Sequence, residues 1–94
     1  LYVFVGVLTP DGTLVEANRA PLLAAGIELG DVVGKPFWDT YWWSHDPALQ
    51  LRLREACAAA AGGARLRFDV DVRMAGDTLM PIDFQLAPLR DAQG

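Results

Sequence analysis

Gly34-Lys35-Pro36-Phe37-Trp38-Asp39-Thr40-Tyr41-Trp42-Trp43-Ser44-His45 holds all three tryptophans of the chain, one of its two tyrosines and its only histidine. Gly34 and Pro36 interrupt regular structure at the start of this stretch. Asp46-Pro47 closes it by opening a helix, with Asp46 as N-cap and Pro47 in the first helical position. A small domain cannot leave so much ring surface in water, because each aromatic side chain buries a large apolar area. The stretch therefore reads as a short irregular segment around which the rest of the chain folds.

Reading outward toward the C-terminus, the spacing predicts a helix over Pro47–Ala61. Leu49, Leu53, Ala56, Cys57 and Ala60 share one face. Arg52 and Glu55 point elsewhere, at a spacing that allows an i, i+3 pair. The alanine run from Ala58 to Ala61 favours helix but adds little bulk, which suits close packing on a sheet. Gly62-Gly63 ends the helix. Arg65–Met74 then alternates strictly, with Leu66, Phe68, Val70, Val72 and Met74 on one face and charged residues on the other, as a half-buried antiparallel strand does. Ala75-Gly76-Asp77 turns the chain. Thr78–Leu89 returns with Met80, Ile82, Phe84 and Leu86 inward, and Pro81, which cannot donate to a ladder, marks an unpaired position or a bulge. Arg90–Gly94 reads as a turn.

Toward the N-terminus, Leu1–Leu8 and Thr13–Glu16 flank Thr9-Pro10-Asp11-Gly12, a turn sequence, and read as a β-hairpin. Gly6 inside a strand points to close backbone approach or a bulge. Asn18 is placed to cap a short helix over Arg19–Ala25, with Pro21 in its first turn and Gly26 at its C-terminal stop. Asp31-Val32-Val33 reads as one further turn. The order is two strands, short helices, a long helix and two strands: an α+β domain with helices on one face of an antiparallel sheet.

The totals narrow the function. Ninety-four residues make one small domain over residues 1–94,. A hydrophobic content of 52% rules against disorder, and a net charge of −4 argues against nucleic acid or an anionic membrane as partner,. Cys57 is the only cysteine, so no internal disulfide forms, which fits a reducing, cytoplasmic compartment,. No apolar run approaches the roughly 20 residues of a membrane span. The chain opens on Leu1 and reads as a piece of a longer protein.

The hairpin followed by Glu16-Ala17-Asn18-Arg19-Ala20, then Val33-Gly34-Lys35-Pro36-Phe37-Trp38, the main helix, and a hairpin ending Asp83-Phe84…Pro88-Leu89-Arg90-Asp91…Gly94, resembles PAS sensor domains. The likeness spans the whole chain and is to PAS modules of bacterial sensor histidine kinases. It implies a five-stranded antiparallel sheet in the order 2-1-5-4-3, of which this chain carries four strands. The missing fifth belongs between Leu1–Leu8 and Thr78–Leu89, and its absence leaves two hairpins with exposed inner edges. Either about ten further strand residues of the same polypeptide or a partner chain is expected to fill that gap. The resemblance also implies an output domain in the same polypeptide.

It further implies a cavity between sheet and helices. The candidate lining is Val5, Val15, Trp38, Trp42, Leu53, Cys57, Phe68, Ile82 and Phe84; solid packing of the same residues as core is the alternative. No cofactor is expected. His45 stands before the helix, whereas haem-binding relatives carry their histidine within it, and no second soft ligand accompanies it. Cys57 lies in Glu-Ala-Cys-Ala-Ala, without the Asn-Cys-Arg-Phe type motif of flavin-binding relatives, and reads as a buried small hydrophobe. Ser44-His45-Asp46 are consecutive and cannot converge as a triad, so catalysis within this stretch is not expected. Two functions remain: a sensory module that binds a small molecule, or a ligand-free relay that dimerises through an apolar face including Tyr2, Phe4 or Leu89.

Overall fold

The computed structural model of the chain describes residues 4–89. The start of the expected first strand, with Tyr2, and the expected turn at Arg90–Gly94 lie outside the described residues. Strand β1 (Gly6–Leu8) pairs antiparallel with β2 (Leu14–Ala17). The turn between them is tied by Asp11, whose carboxylate accepts from the Thr9 hydroxyl and from the Thr13 N–H at 3.1 Å. Those bonds favour the charged form and hold its pKa below the ordinary carboxylate value,. Gly12, at φ +90°, lies under the Trp38 ring so closely that a Cβ would sit 2.4 Å from it.

The register of this hairpin slips between Val7, opposite Glu16, and Leu8, opposite Leu14. Val15 is the extra residue of this β-bulge. Leu14 therefore goes wholly into the core and Val15, at 46% exposed, turns outward. Asn18 stands at the N-cap of helix α1 (Arg19–Ala25), but its side chain does not cap the helix. Its Oδ1 accepts from the Val5 N–H at 2.7 Å while its own N–H donates to the Val5 carbonyl at 2.9 Å, so it extends the hairpin instead. Gly26 ends α1 in the left-handed region at φ 69°, with Ile27 N–H donating to the Leu22 carbonyl, a Schellman stop,. The further turn falls at Leu29–Asp31, slightly earlier than expected.

The aromatic segment is bonded to β2, both helices and the turn of the C-terminal hairpin, and packs against that hairpin at Phe84. Gly34–Phe37 runs along the outer edge of β2: Gly34 N–H donates to Leu14 O, Leu14 N–H to Lys35 O and Phe37 N–H to Gly12 O, all at 2.8–3.0 Å. Two 3-10 turns follow, Phe37–Asp39 and Tyr41–Trp43. Trp42 Nε1 donates to the Pro21 carbonyl of α1 at 3.1 Å, and the Tyr41 hydroxyl to the Met74 carbonyl at 2.8 Å. The Trp38 carbonyl accepts from Gln50 of helix α2 (Pro47–Ala61) at 3.0 Å. Asp46 caps α2 as expected, accepting from Ala48 N–H at 3.0 Å and Leu49 N–H at 3.4 Å. Leu53, Ala56, Cys57 and Ala60 bury its inner face. Arg52 does not pair with Glu55; its guanidinium stacks 3.8 Å over the Phe68 ring, a contact made across the fold that helical spacing cannot show.

Strand β3 (Leu66–Arg73) pairs antiparallel with β4 (Leu79–Leu86) along their whole length. Arg67 donates to both oxygens of Asp83 on the outer face. Met74 N–H donates to the Thr78 carbonyl at 2.7 Å, which sets the alternation of the ladder,. Even-numbered residues of both strands bond across the hairpin, and odd-numbered backbone groups point away from it. Pro81, opposite Asp71, falls on the outward phase, so its missing N–H breaks no bond of the hairpin,. The two hairpins form separate two-stranded sheets that do not pair with each other. The α+β order with four strands and an open middle is the architecture expected from the sequence.

Leu53 is fully buried at the centre of the core. Leu53→Ala is expected to cost about 2–5 kcal/mol in urea unfolding, and Asp46→Ala about 0.5–2 kcal/mol through the lost cap.

Candidate functional site

Between the hairpins lies a groove of about 930 Å³. One wall is β1 with Val5, Gly6 and Leu8; the other is β4 from Met80 to Leu86; the floor is Leu14, Phe37, Trp42, Trp43 and Val72. Local chemistry sets each wall. Asn18 N–H bonds to Val5 O, so the next residue, Gly6, turns its N–H and C=O away from β2 and toward the groove,. A Cβ at Gly6 would meet Leu14 Cδ1 at 3.4 Å. On the opposite wall, the outward phase of β4 aims the backbone of Leu79, Pro81, Asp83 and Gln85 at the same space. The groove is thus an apolar floor between two strand edges.

An aromatic cluster fixes the floor. Phe37 meets Trp43 edge-on with centroids 5.5 Å apart, Trp43 meets Phe84 edge-on at 5.7 Å, and Phe84 packs against Phe68 at 5.2 Å. These geometries suit the ring quadrupoles. Trp43 Nε1 and His45 Nδ1 are buried without a hydrogen-bond partner among the described residues. No group of three or more His, Cys, Asp or Glu that could hold a metal occurs among those residues.

Of the candidate lining residues, Trp42, Ile82 and Phe84 line the groove, with Val5 at its rim and 52% exposed. The others do not. Val15 is turned out by the bulge. Leu53 and Cys57 are buried on the inner face of α2, away from the groove. Phe68 lies beneath Arg52, and Trp38 packs on Gly12 with Arg54 5.8 Å above its ring. Phe37 and Trp43 were missed. The segment reads as irregular in sequence, which gives no phase by which to sort its rings, and it forms two separate 3-10 turns. Thr40, extended between the two turns, redirects the chain so that Phe37 and Trp43 meet on one side. Leu14 was missed for the same reason as Val15 was included, and Met80 and Val72 carry the strand alternation that could have named them.

Two antiparallel hairpins with packing helices, and a groove open between the hairpins, make an α+β domain. A family model described as PAS fold matches residues 1–94, and the chain belongs to that family. It is 36% identical over 95 residues to the sensor histidine kinase TmoS of Ectopseudomonas mendocina, covering 99% of this chain and 10% of that protein. It is 32% identical over 96 residues to the hybrid signal transduction histidine kinase D of Dictyostelium discoideum, covering 100% of this chain and 6% of that protein. The chain spans a tenth or less of the length of these relatives. The domain is a sensory module rather than a catalytic one. No helix among the described residues is long and apolar enough to cross a membrane.

Cys57 behaves as a core residue. Burial pushes its thiol from 9.0 up to about 11, because the thiolate loses solvation there. Between those values the unfolded chain releases a proton that the native state keeps, so stability falls as pH rises through the window. Comparing urea midpoints across it, Cys57→Ala is expected to show a shallower loss than the parent chain; identical pH profiles would contradict this.

Proposed function

We propose that the groove is the sensing element of this PAS domain, and that the domain serves as the input module of a bacterial histidine kinase in the cytoplasm. The observation that carries the proposal is an apolar space bounded by two unpaired strand edges. Backbone donors and acceptors beside an apolar floor call for hydrogen-bond partners. A strand of about ten residues from the same polypeptide, laid between β1 and β4, supplies them. It completes the order 2-1-5-4-3 and makes residues 1–94 a single PAS domain short of its last strand. Its inward side chains roof Leu14, Trp42 and Phe84, and the space left beneath holds a small apolar molecule. Pro81 offers that strand no donor, so the β4 side of the new ladder is one bond short and gives way more easily,. A ligand that binds better to one position of the strand than another shifts it, and the shift passes to the output domain.

The relatives' names support a kinase as the parent protein, and a single free thiol supports a reducing compartment,. A solidly packed, ligand-free relay, in which the inward side chains of the added strand fill the groove, is the second reading.

The neutral fluorophore N-phenyl-1-naphthylamine brightens in apolar surroundings and tests the site in the intact protein. Binding is expected, weakened about tenfold or more by Ile82→Trp, which fills the groove and removes at least about 1.4 kcal/mol of affinity. Ile82→Val is expected to leave binding near the parent value. Unchanged binding in a folded Ile82→Trp variant would overturn the groove as the site.

A further inference from the structure

Two hairpins have four strand edges, and three of them are accounted for. The outer edge of β2 is covered by Gly34–Phe37, and the inner edges of β1 and β4 face the groove. The fourth is the outer edge of β3. The ladder phase points the backbone N–H and C=O groups of Arg67, Asp69 and Asp71 outward along it. No other strand pairs there among the described residues. The side chains above this edge are also unbalanced. Asp69 stands directly opposite Asp83 in the register, where like charges repel,. Arg67 is bound to Asp83, while Arg65, Asp69 and Asp71 form no ion pair among the described residues.

We propose that the outer edge of β3 pairs antiparallel with β3 of a second copy, about a two-fold axis at Phe68, setting Arg65 opposite Asp71 and Arg67 opposite Asp69. The order of charges is what selects this partner. Arg65, Arg67, Asp69 and Asp71 place two cations before two anions, so reversing the strand matches every charge with its opposite. The backbone phase agrees, because Arg67, Asp69 and Asp71 are on the outward, hydrogen-bonding phase, and Arg65, one residue before β3, joins them when the pairing extends the strand by that residue. A shift of two residues one way sets Arg67 against its own copy, and the other way sets Asp69 against its own. Charges on an edge strand ordinarily discourage pairing; here they discourage every register but one. The pairing stops at Asp71, because Arg73 is held by Asp77 and Ser44 and stacks 4.3 Å from the centre of the Tyr41 ring.

The test uses two differently tagged copies of the intact protein, one with Arg65→Cys and the other with Asp71→Cys, co-expressed and mildly oxidised. Residues opposed in a hydrogen-bonded pair lie about 5.5 Å apart at Cα, within disulfide reach. Diagonal neighbours lie about 7–8 Å apart, beyond it. Mixed-tag disulfide dimers are expected for Arg65→Cys with Asp71→Cys, and not for Arg65→Cys with Asp69→Cys. Adding Arg67→Asp to both copies is expected to bring the yield down to that of the mismatched pair, and adding Asp69→Arg as well is expected to restore it. No dimer from the matched pair, equal yields from both pairs, or no rescue by the swapped charges would overturn the pairing.

Discussion

The hydrogen bonds between Leu14 and the Gly34–Lys35 backbone are the constraint on which the domain depends. A two-stranded hairpin is marginal in water by itself, and β2 would otherwise present an open edge. Gly34–Phe37 closes that edge. Doing so, it brings the aromatic segment to the middle of the molecule, with Trp42 over α1, Tyr41 against the β3–β4 turn, and Phe37 and Trp43 against Phe84. The segment has no regular secondary structure beyond two single turns, and its side chains bridge the two hairpins.

That arrangement decides where function can reside. The hairpins are tied through the floor and not through their edges, so a space remains between β1 and β4. Its base is aromatic and aliphatic, while its sides carry backbone hydrogen-bonding groups. An element placed in this space is held by both sheets at once, and a change in its position is felt by both. A small molecule beneath such an element has leverage on the chain that leaves it, which is what a sensory input module requires.

Much of the fold was legible in the sequence where the signals are local. Asp46-Pro47 and Gly62-Gly63 bound α2 at the residues observed, and the alternation from Leu66 to Met74 set the inner face of β3. The resemblance to PAS domains supplied the open middle of the sheet. The site was less legible, because its geometry depends on phase. One bulge at Val15 exchanged the roles of two neighbouring residues. The extended Thr40 between two 3-10 turns puts Trp43 rather than Trp38 in the floor of the groove. Asn18 has a cap residue's position, yet its side chain was claimed by Val5 across the hairpin. Each is decided by a contact distant in sequence, and no local pattern encodes it.

The account rests on both groove edges being paired in the intact protein, and amide hydrogen exchange reads this directly. The N–H groups of Gly6, Asp83 and Gln85 point into the groove and bond to neither hairpin. In the intact protein they are predicted to exchange slowly, like those of Val70 and Ile82 inside the β3–β4 ladder. Exchange at the rate of exposed loop amides would show the gap unfilled, and with it no closed chamber for a ligand to occupy.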